Sequence, residues 1–205
     1  MTSSDSSPDG TLIDAVLGGD REQFAVLVGR YQTALLRMAE SRLGRRDWAE
    51  DVVQETFLCA FKSLHTYDSQ FSFRTWLWTI ALNQCRRHHQ RRARTPHVYT
   101  WSEAGADAGD QAKRDCLECA QATPHDSLLA KERSQQLHAL LAELPEEQAD
   151  ALRLRFFGEL KFQEIADAMH CSLSSAKNRV RWGLLKMSQM LNHAEREQPL
   201  AGDVP

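Results

Sequence analysis

Side chains suited to binding nucleic acid are concentrated near the C-terminal end of the sequence. No acidic residue occurs between Ser172 and Asn192. The cationic and amide residues of this segment include Lys177, Asn178, Arg179, Arg181 and Lys186. Arginine and lysine bind guanine edges and phosphates, and asparagine binds adenine edges. The segment therefore has the chemistry of a DNA contact.

A second basic segment lies upstream, where no acidic residue occurs from Asn83 to Ser102. Its arginines are Arg86, Arg87, Arg91, Arg92 and Arg94. Arginines at this density are suited to neutralising phosphates. The residues that follow, up to 126, carry six acids against Lys113 and Arg114. The charges of the basic and acidic segments cancel in the sum, so the formal net charge of −3 does not reveal the two strongly basic segments.

Other reactive residues point to no enzyme. Cys116 and Cys119 are spaced like two of the four ligands of a zinc site, and His97 or His125 could supply a further ligand. The same spacing is found in redox-active cysteine pairs. We favour neither, and we expect no metal, no cofactor and no catalytic site. No Ser/His/Asp set, phosphate-binding loop or carboxylate pair stands out. The sequence also lacks a signal peptide and an 18-residue apolar run, so we expect a cytoplasmic protein without membrane insertion.

The spacing of apolar residues predicts an all-α protein of two helical modules joined by a flexible linker. Stripes at three- and four-residue spacing begin near Phe24, Val52 and Trp76, and Gly44 has the position of a helix stop. The linker would span about 30 Å on average as flexible coil and about 100 Å when fully extended. The predicted divisions are a disordered N-terminus (1–10), a first module (11–95), an acidic linker (96–126), a second module (127–192) and a disordered tail (193–205).

The second module has the pattern of a helix-turn-helix. A short helix (Phe162–Met169), a turn (His170–Ser172) and a longer helix from Leu173 follow one another. In such a motif the second helix enters the major groove and the first braces it. The alternative is a basic, solvated surface helix. The inward residues are expected to be Leu173, Ala176 and Val180, with Ile165 and Ala166 on the supporting helix, and the outward ones Ser174, Ser175, Lys177, Asn178 and Arg181.

Three segments resemble extracytoplasmic-function (ECF) sigma factors of the sigma-70 family. Residues 47–57, DWAEDVVQETF, resemble that family's DAEDLVQETF stretch, and residues 73–83, FRTWLWTIALN, resemble its FRTWLYRIARN stretch. Residues 144–191 resemble its region 4. The three occur in the family's order and spacing and cover about 22–94 and 128–191.

The resemblance implies a bacterial transcription initiation factor. Region 2 (about 11–95) would bind the β′ clamp helices of core RNA polymerase and would recognise and open the −10 promoter element. Region 4 (about 127–192) would read the −35 element as duplex. The acidic linker would pass through the polymerase near its active cleft. The resemblance also implies an anti-sigma factor as the regulator.

The same resemblance assigns individual residues. Asp51, Gln54 and Glu55 would meet the polymerase clamp, although an ordinary acidic, solvated face has the same pattern. The −35 element would be read by Ser174, Ser175, Lys177, Asn178, Arg179 and Arg181. The −10 element would be bound by Tyr67, Phe71, Asn83, Arg86, Arg87 and Arg91.

Within the −10 set the roles differ. Asn83 would contact the upstream edge of the element, and the three arginines would bind phosphates. Tyr67 and Phe71 lie in the loop that receives a flipped base in the family, where they could stack on unpaired bases. The alternative is that Phe71 and Phe73 anchor the loop to the core, and for Phe73 we favour that alternative. Trp76 is likewise expected in the core.

The sequence departs from the family pattern at three positions. Thr79 stands where arginine is usual, His170 where glycine is common in the turn, and Trp182 where a basic residue is frequent. Two other functions are compatible with the sequence. One is a free-standing helix-turn-helix regulator that binds an operator without polymerase. The other is a sigma-like interaction protein that binds polymerase or an anti-sigma factor without initiating transcription.

Overall fold

The computed structural model describes residues 8–94 and 124–197. In these two ranges there are eight α-helices, one 3-10 turn (Leu64–Thr66) and no strand, which confirms the predicted all-α class. The N-terminal half contains α1 (Asp9–Leu17), α2 (Gln23–Leu43), α3 (Arg46–Ser63) and α4 (Phe73–Arg94). The C-terminal half contains α5 (Pro124–Ala142), α6 (Glu146–Phe156), α7 (Phe162–Ala168) and α8 (Leu173–Glu197).

The N-terminal half is organised around α2, which packs against α1, α3 and α4. Gly44 ends α2 in the left-handed conformation (φ 71°), and its N–H donates to the Glu40 carbonyl at 2.9 Å. Because left-handed backbone has no steric cost for glycine, this residue permits the tight turn into α3, as predicted. The fully buried side chains include Leu27, Leu35 and Leu77, each of which contributes about 1.5–3 kcal/mol by burial.

The C-terminal half packs its last helix, α8, against α6 and α7. Gly183 on α8 faces α6 so closely that an added Cβ would lie 2.9 Å from Leu152 Cδ1. A larger residue would force the Leu152 side chain to move, so the close approach of α6 and α8 favours glycine here. On the opposite face of the motif, Ile165 and Ala166 of α7 and Ala176 of α8 are buried, as predicted.

The two halves are in direct contact. Helix α7 packs on α4, and α6 packs on α2. Trp78 of α4 lies against Gly158, where an added Cβ would be 3.1 Å from Trp78 Cδ2. Arg153 of α6 donates to the Ser41 hydroxyl and the Ser41 carbonyl, both at 3.0 Å. This contact was not predicted, because the sequence analysis treated the halves as independent modules.

The helix ends differ from the predicted divisions in three places. Helix α1 begins at Asp9 rather than after residue 10, and α5 begins at Pro124 rather than at Ser127. Helix α8 continues to Glu197, so residues 193–197 are helical, contrary to the prediction of a tail from 193. The rest of the predicted linker and tail lies outside the described residues. No described helix combines the length and apolarity needed to span a lipid bilayer.

Candidate nucleic-acid interface

Helix α8 presents most of its polar recognition residues to solvent. Ala176 and Val180 face the core of the C-terminal half, so Lys177 and Asn178 between them face outward. Leu173, which we predicted to face inward, is 39% exposed and does not belong to this core. Helical spacing predicts the face of α8 on which Leu173 lies, but not whether a neighbouring helix covers the first turn. The exposed recognition residues are Ser174, Lys177, Asn178 and Arg181.

The turn before α8 fixes the direction of that helix. His170, which stands where glycine is common in the resembling family, adopts the left-handed conformation with φ 51°. The Cys171 N–H donates to the Ala166 carbonyl at 2.9 Å, and the Ser175 N–H donates to the Ser172 hydroxyl at 3.1 Å. Ser172 thus caps α8, a role that the sequence analysis missed although serine before a helix is a standard signal.

Two of the residues predicted to contact the −35 element are less exposed to an incoming DNA duplex than the others. Arg179 is half-buried and pairs with Glu147 of α6, with Nη2 and Oε2 2.7 Å apart. The Ser175 hydroxyl lies 2.8 Å from that of Ser172 and is partly buried. Arg179 therefore ties α8 to α6, whereas Ser175 belongs to the hydrogen-bonded cap at the start of α8.

The predicted −10 residues of α4 form one exposed stripe. Asn83, Arg87 and Arg91 are spaced four residues apart, so they lie on the same side of the helix, and all three are exposed. Arg86 lies beside this stripe and is half-buried, with Nη2 3.7 Å from Asp150 Oδ2 of the C-terminal half. Thr79, which replaces the family's arginine, donates its hydroxyl to the Thr75 carbonyl at 2.8 Å.

The loop before α4 holds its two aromatic residues differently. Phe71 is 48% exposed, whereas Tyr67 is half-buried against Trp76 and Phe73, with ring centroids 5.5 and 5.8 Å away. The Tyr67 hydroxyl donates to the Phe71 carbonyl at 2.7 Å, which ties the two together. Burial, with the nearby Asp9 and Asp68 carboxylates, raises the pKa of Tyr67, so it remains a neutral donor. Phe73 is buried and Trp76 is half-buried, so Phe73 anchors the loop, as we favoured.

The acidic face of α3 adjoins an apolar groove that the sequence analysis did not identify. Asp51, Gln54 and Glu55 are all exposed. Gln54 also lines a groove of about 660 Å³ between α2 and α3. Leu58 and Phe61 in its wall are 46% and 36% exposed. Phe61 continues the apolar stripe that begins near Val52, and helical spacing alone does not distinguish a core position from a position in a groove wall.

Trp48 is a second feature that the sequence analysis missed. The Arg92 guanidinium lies 3.8 Å from the centroid of the Trp48 ring, and that of Arg45 lies 4.6 Å away. The His88 ring is 5.3 Å distant. Burial, together with the Arg92 charge, lowers the pKa of His88, so this ring is neutral near pH 7. These contacts attach the basic end of α4 to the first turn of α3.

The described residues contain no metal-binding cluster. No group of three or more histidine, cysteine or acidic side chains is placed to hold a metal ion within the described ranges. Cys85 is buried, and burial raises the pKa of its thiol to about 11, so it is not a thiolate at neutral pH. Cys116, Cys119, His97 and the side chain of His125 lie outside the described set, so the expectation that they form neither a zinc site nor a redox pair remains a prediction.

Comparison with known proteins identifies both halves. The sigma-70 region 2 family model matches residues 27–95, and the sigma-70 region 4 model matches residues 134–187. The chain is 31% identical to the RNA polymerase sigma-H factor of Pseudomonas aeruginosa over 174 residues, covering 84% of this chain and 88% of that protein. It is 29% identical to the ECF RNA polymerase sigma-E factor of Haemophilus influenzae, covering 84% and 89% of the two chains.

Solved structures share the fold. CnrH, in its complex with the cytosolic domain of CnrY, superposes with a TM-score of 0.67 at 22% identity and covers 91% of this chain and 99% of its own. RpoE of Bartonella quintana, in complex with the anti-sigma factor NepR, gives a TM-score of 0.60 at 20% identity, covering 83% and 98%. The family models, the sequence relatives and the helical fold agree, and the chain belongs to the ECF branch of the sigma-70 family of RNA polymerase sigma factors.

Proposed function

We propose that this protein binds bacterial core RNA polymerase and directs it to promoters by reading their −35 and −10 elements. The observation that carries the proposal is that one chain combines three distinct surfaces. These are the polar face of α8, the Asn83–Arg91 stripe of α4 with its preceding loop, and the acidic face and groove of α3. A regulator that binds only an operator needs the first surface and neither of the others.

Recognition of the −35 element is assigned to the exposed residues of α8. Lys177 and Arg181 are four residues apart and free of acidic neighbours on their own helix, so they can approach guanine edges or phosphates together. Asn178 beside them can pair with an adenine edge. Ser174 and Ser175 at the helix start are placed for phosphate contacts, since helix N-termini favour anions. Arg179 can join them when it leaves Glu147.

Recognition of the −10 element is assigned to α4 and the loop before it. Phe71 offers an exposed ring on which an unpaired base can stack, and Tyr67 forms the floor beside it. Asn83 can bind a base at the upstream end, and Arg86, Arg87 and Arg91 can bind phosphates. Because these contacts need an unpaired strand, binding shifts the equilibrium toward the open promoter, and no catalytic group is required.

Polymerase binding is assigned to α3 and the groove beside it. Asp51, Gln54 and Glu55 provide the polar part, and the apolar walls at Leu58 and Phe61 suit a helix laid into the groove. The clamp helices of the β′ subunit, implied by the family resemblance, have that shape. The solved relative RpoE is in complex with the anti-sigma factor NepR, so an anti-sigma factor that competes for these surfaces belongs to the proposal, as does action in the cytoplasm.

Leu58→Asp tests the polymerase surface. Leu58 is half-exposed in the groove wall, so the substitution leaves the fold intact, but it places a charge where an apolar contact is needed. We expect binding to core polymerase, measured by titration with a labelled chain, to weaken at least about tenfold, from the loss of one buried leucine contact. Leu17→Asp, at an exposed leucine of α1 outside the groove, is the matched control and should bind normally. Equal affinity of the two variants would refute the assignment.

Trp48→Ala tests whether the stack on Arg92 positions the basic end of α4. A cation–π contact contributes about 1 kcal/mol, so we expect affinity of the polymerase-bound protein for −10 DNA to fall about fivefold. The slope of log affinity against log salt should decrease by about 0.9 if one phosphate contact is lost. Trp48→Phe retains a ring and should restore most of the affinity. A salt slope that is identical in all three proteins would show that Trp48 serves stability alone.

A further inference from the structure

A buried ionic cluster joins the two halves of the chain. Asp150 of α6 is fully buried and accepts from Arg42 of α2, which has only 3% of its side chain exposed, and from Arg153, at 3.2 Å. Arg42 also pairs with the exposed carboxylate of Glu146. Arg153 completes the connection through its hydrogen bonds to Ser41.

The same carboxylate faces a predicted DNA-binding residue. The second oxygen of Asp150, Oδ2, has no hydrogen-bond partner and lies 3.7 Å from Arg86 Nη2. One buried carboxylate therefore faces three guanidinium groups, of which Arg42 and Arg86 belong to the N-terminal half. Arg86 is among the residues assigned to −10 phosphates, and here its guanidinium faces the Asp150 carboxylate instead.

A second contact closes the other end of the interface. The Ser72 hydroxyl, which caps α4 by accepting from the Thr75 N–H at 3.1 Å, also donates to Glu164 of α7 at 2.9 Å. Arg74 lies 3.5 Å from Glu159. Helix α7 therefore sits at the start of α4, next to Phe71 and the loop assigned to the flipped base.

This closed arrangement is incompatible with reading both promoter elements at once. Helix α7 contacts both α4 and α8, and packed helices lie about 8–10 Å apart, so the axes of the two reading helices are at most about 20 Å apart where α7 lies between them. The −35 and −10 elements are about 25 base pairs apart by position, or about 85 Å along the duplex. The halves must separate before the promoter is bound, and the linker is long enough to allow it.

The chemistry of the cluster suits a contact that opens. In a buried ion pair, the attraction between the charges is only slightly larger than the free-energy cost of removing them from water. When the halves separate, Asp150, Arg42 and Arg153 regain water, so opening exposes charges rather than a large apolar face at this point. Removing one partner, in contrast, leaves an uncompensated buried charge and disfavours the closed state.

We propose that Asp150, Arg42 and Arg153 form an interdomain latch that holds the free chain closed, with Asp150 occupying Arg86 in place of a DNA phosphate. The inference rests on the proposed function in one respect, namely that the two halves read separate elements. Polymerase binding opens the latch and releases Arg86 and the loop around Phe71.

Small-angle X-ray scattering of the full chain tests the latch. The radius of gyration of a compact particle of this length is about 17 Å, and we expect the described contacts to keep the wild-type protein near that value. Asp150→Asn should raise the radius of gyration above about 20 Å, as two tethered modules separate. Arg42→Gln removes the partner on the other half and should do the same. The double variant should be no more open than either single variant, because both break one contact.

The matched control is Glu147→Gln. It removes one carboxylate from the same helix, three residues from Asp150, but its partner Arg179 belongs to the same half, so the chain should stay closed. Circular dichroism verifies helix content, and if Asp150→Asn loses it, Arg42→Gln carries the test. A folded Arg42→Gln as compact as the wild type, or an extended wild type, would overturn the latch. Transcription with core polymerase, measured on the same samples, distinguishes the latch from the proposed function. If the proposed function is wrong, no variant initiates transcription, whether its chain is compact or extended.

Discussion

Replacing Lys177 and Arg181 together by alanine is expected to weaken −35 recognition about 100-fold or more. Each side chain is exposed on α8, and a good contact to a base edge contributes about 1–3 kcal/mol. The fold should survive, because neither residue is buried and alanine is the best helix former. The measurement is the affinity of the polymerase-bound protein for promoter DNA that carries an intact −35 element.

The control removes the same charge elsewhere. Arg21 and Lys62 are exposed residues of the N-terminal half, outside the assigned DNA surfaces. Their double alanine variant should bind the promoter like the wild type. If the α8 variant keeps wild-type affinity at moderate salt, or if both double variants lose the same amount, α8 is not the recognition helix.

Replacing Asn83 by alanine is expected to reduce open-complex formation about 10- to 100-fold without changing polymerase affinity. The amide is exposed in the middle of α4, where it makes no packing contribution, and a base contact through it is worth about 1–3 kcal/mol. Helix α4 itself should be slightly stabilised, since asparagine is a poorer helix former than alanine. Permanganate reactivity of unpaired thymines at a mapped promoter measures the open state directly.

Asn192→Ala is the matched control for this prediction. It replaces another exposed, helical asparagine, but at the far end of α8 from the recognition residues. This variant should open promoters normally. Unchanged opening by Asn83→Ala would remove Asn83 from the −10 set, and a parallel loss of polymerase affinity would mean that α4 contributes to docking instead.

The local architecture of this protein could be predicted from its sequence because short-range rules determine it. Gly44 stops α2, His170 makes the left-handed turn, and Ala176 and Val180 face inward because helical spacing places them there. The resemblance to ECF sigma factors was confirmed by the sigma-70 region 2 and region 4 models together with the ECF sequence relatives. Within the candidate site, the exposure of Lys177, Asn178 and Arg181 follows from the same spacing.

The features that were missed depend on residues distant in sequence. Arg42 and Asp150 are 108 positions apart, so neither periodicity nor charge pattern indicates that they meet. In sequence, Asp150 looks like an ordinary surface acid of an amphipathic helix, yet it is fully buried. Trp48 and Arg92 likewise come together only when α3 packs on α4. Leu173 was predicted to face inward but is 39% exposed, because spacing predicts a face of the helix and not whether another helix covers it.

In vitro transcription tests the central claim most directly. Purified protein is added to bacterial core RNA polymerase on a pool of genomic fragments, and transcript starts are mapped with and without it. We expect discrete start sites that depend on the protein and share sequence elements near −35 and −10. Polymerase binding without any such start sites would contradict initiation and favour the sequestering alternative, and the absence of polymerase binding would favour a free-standing regulator.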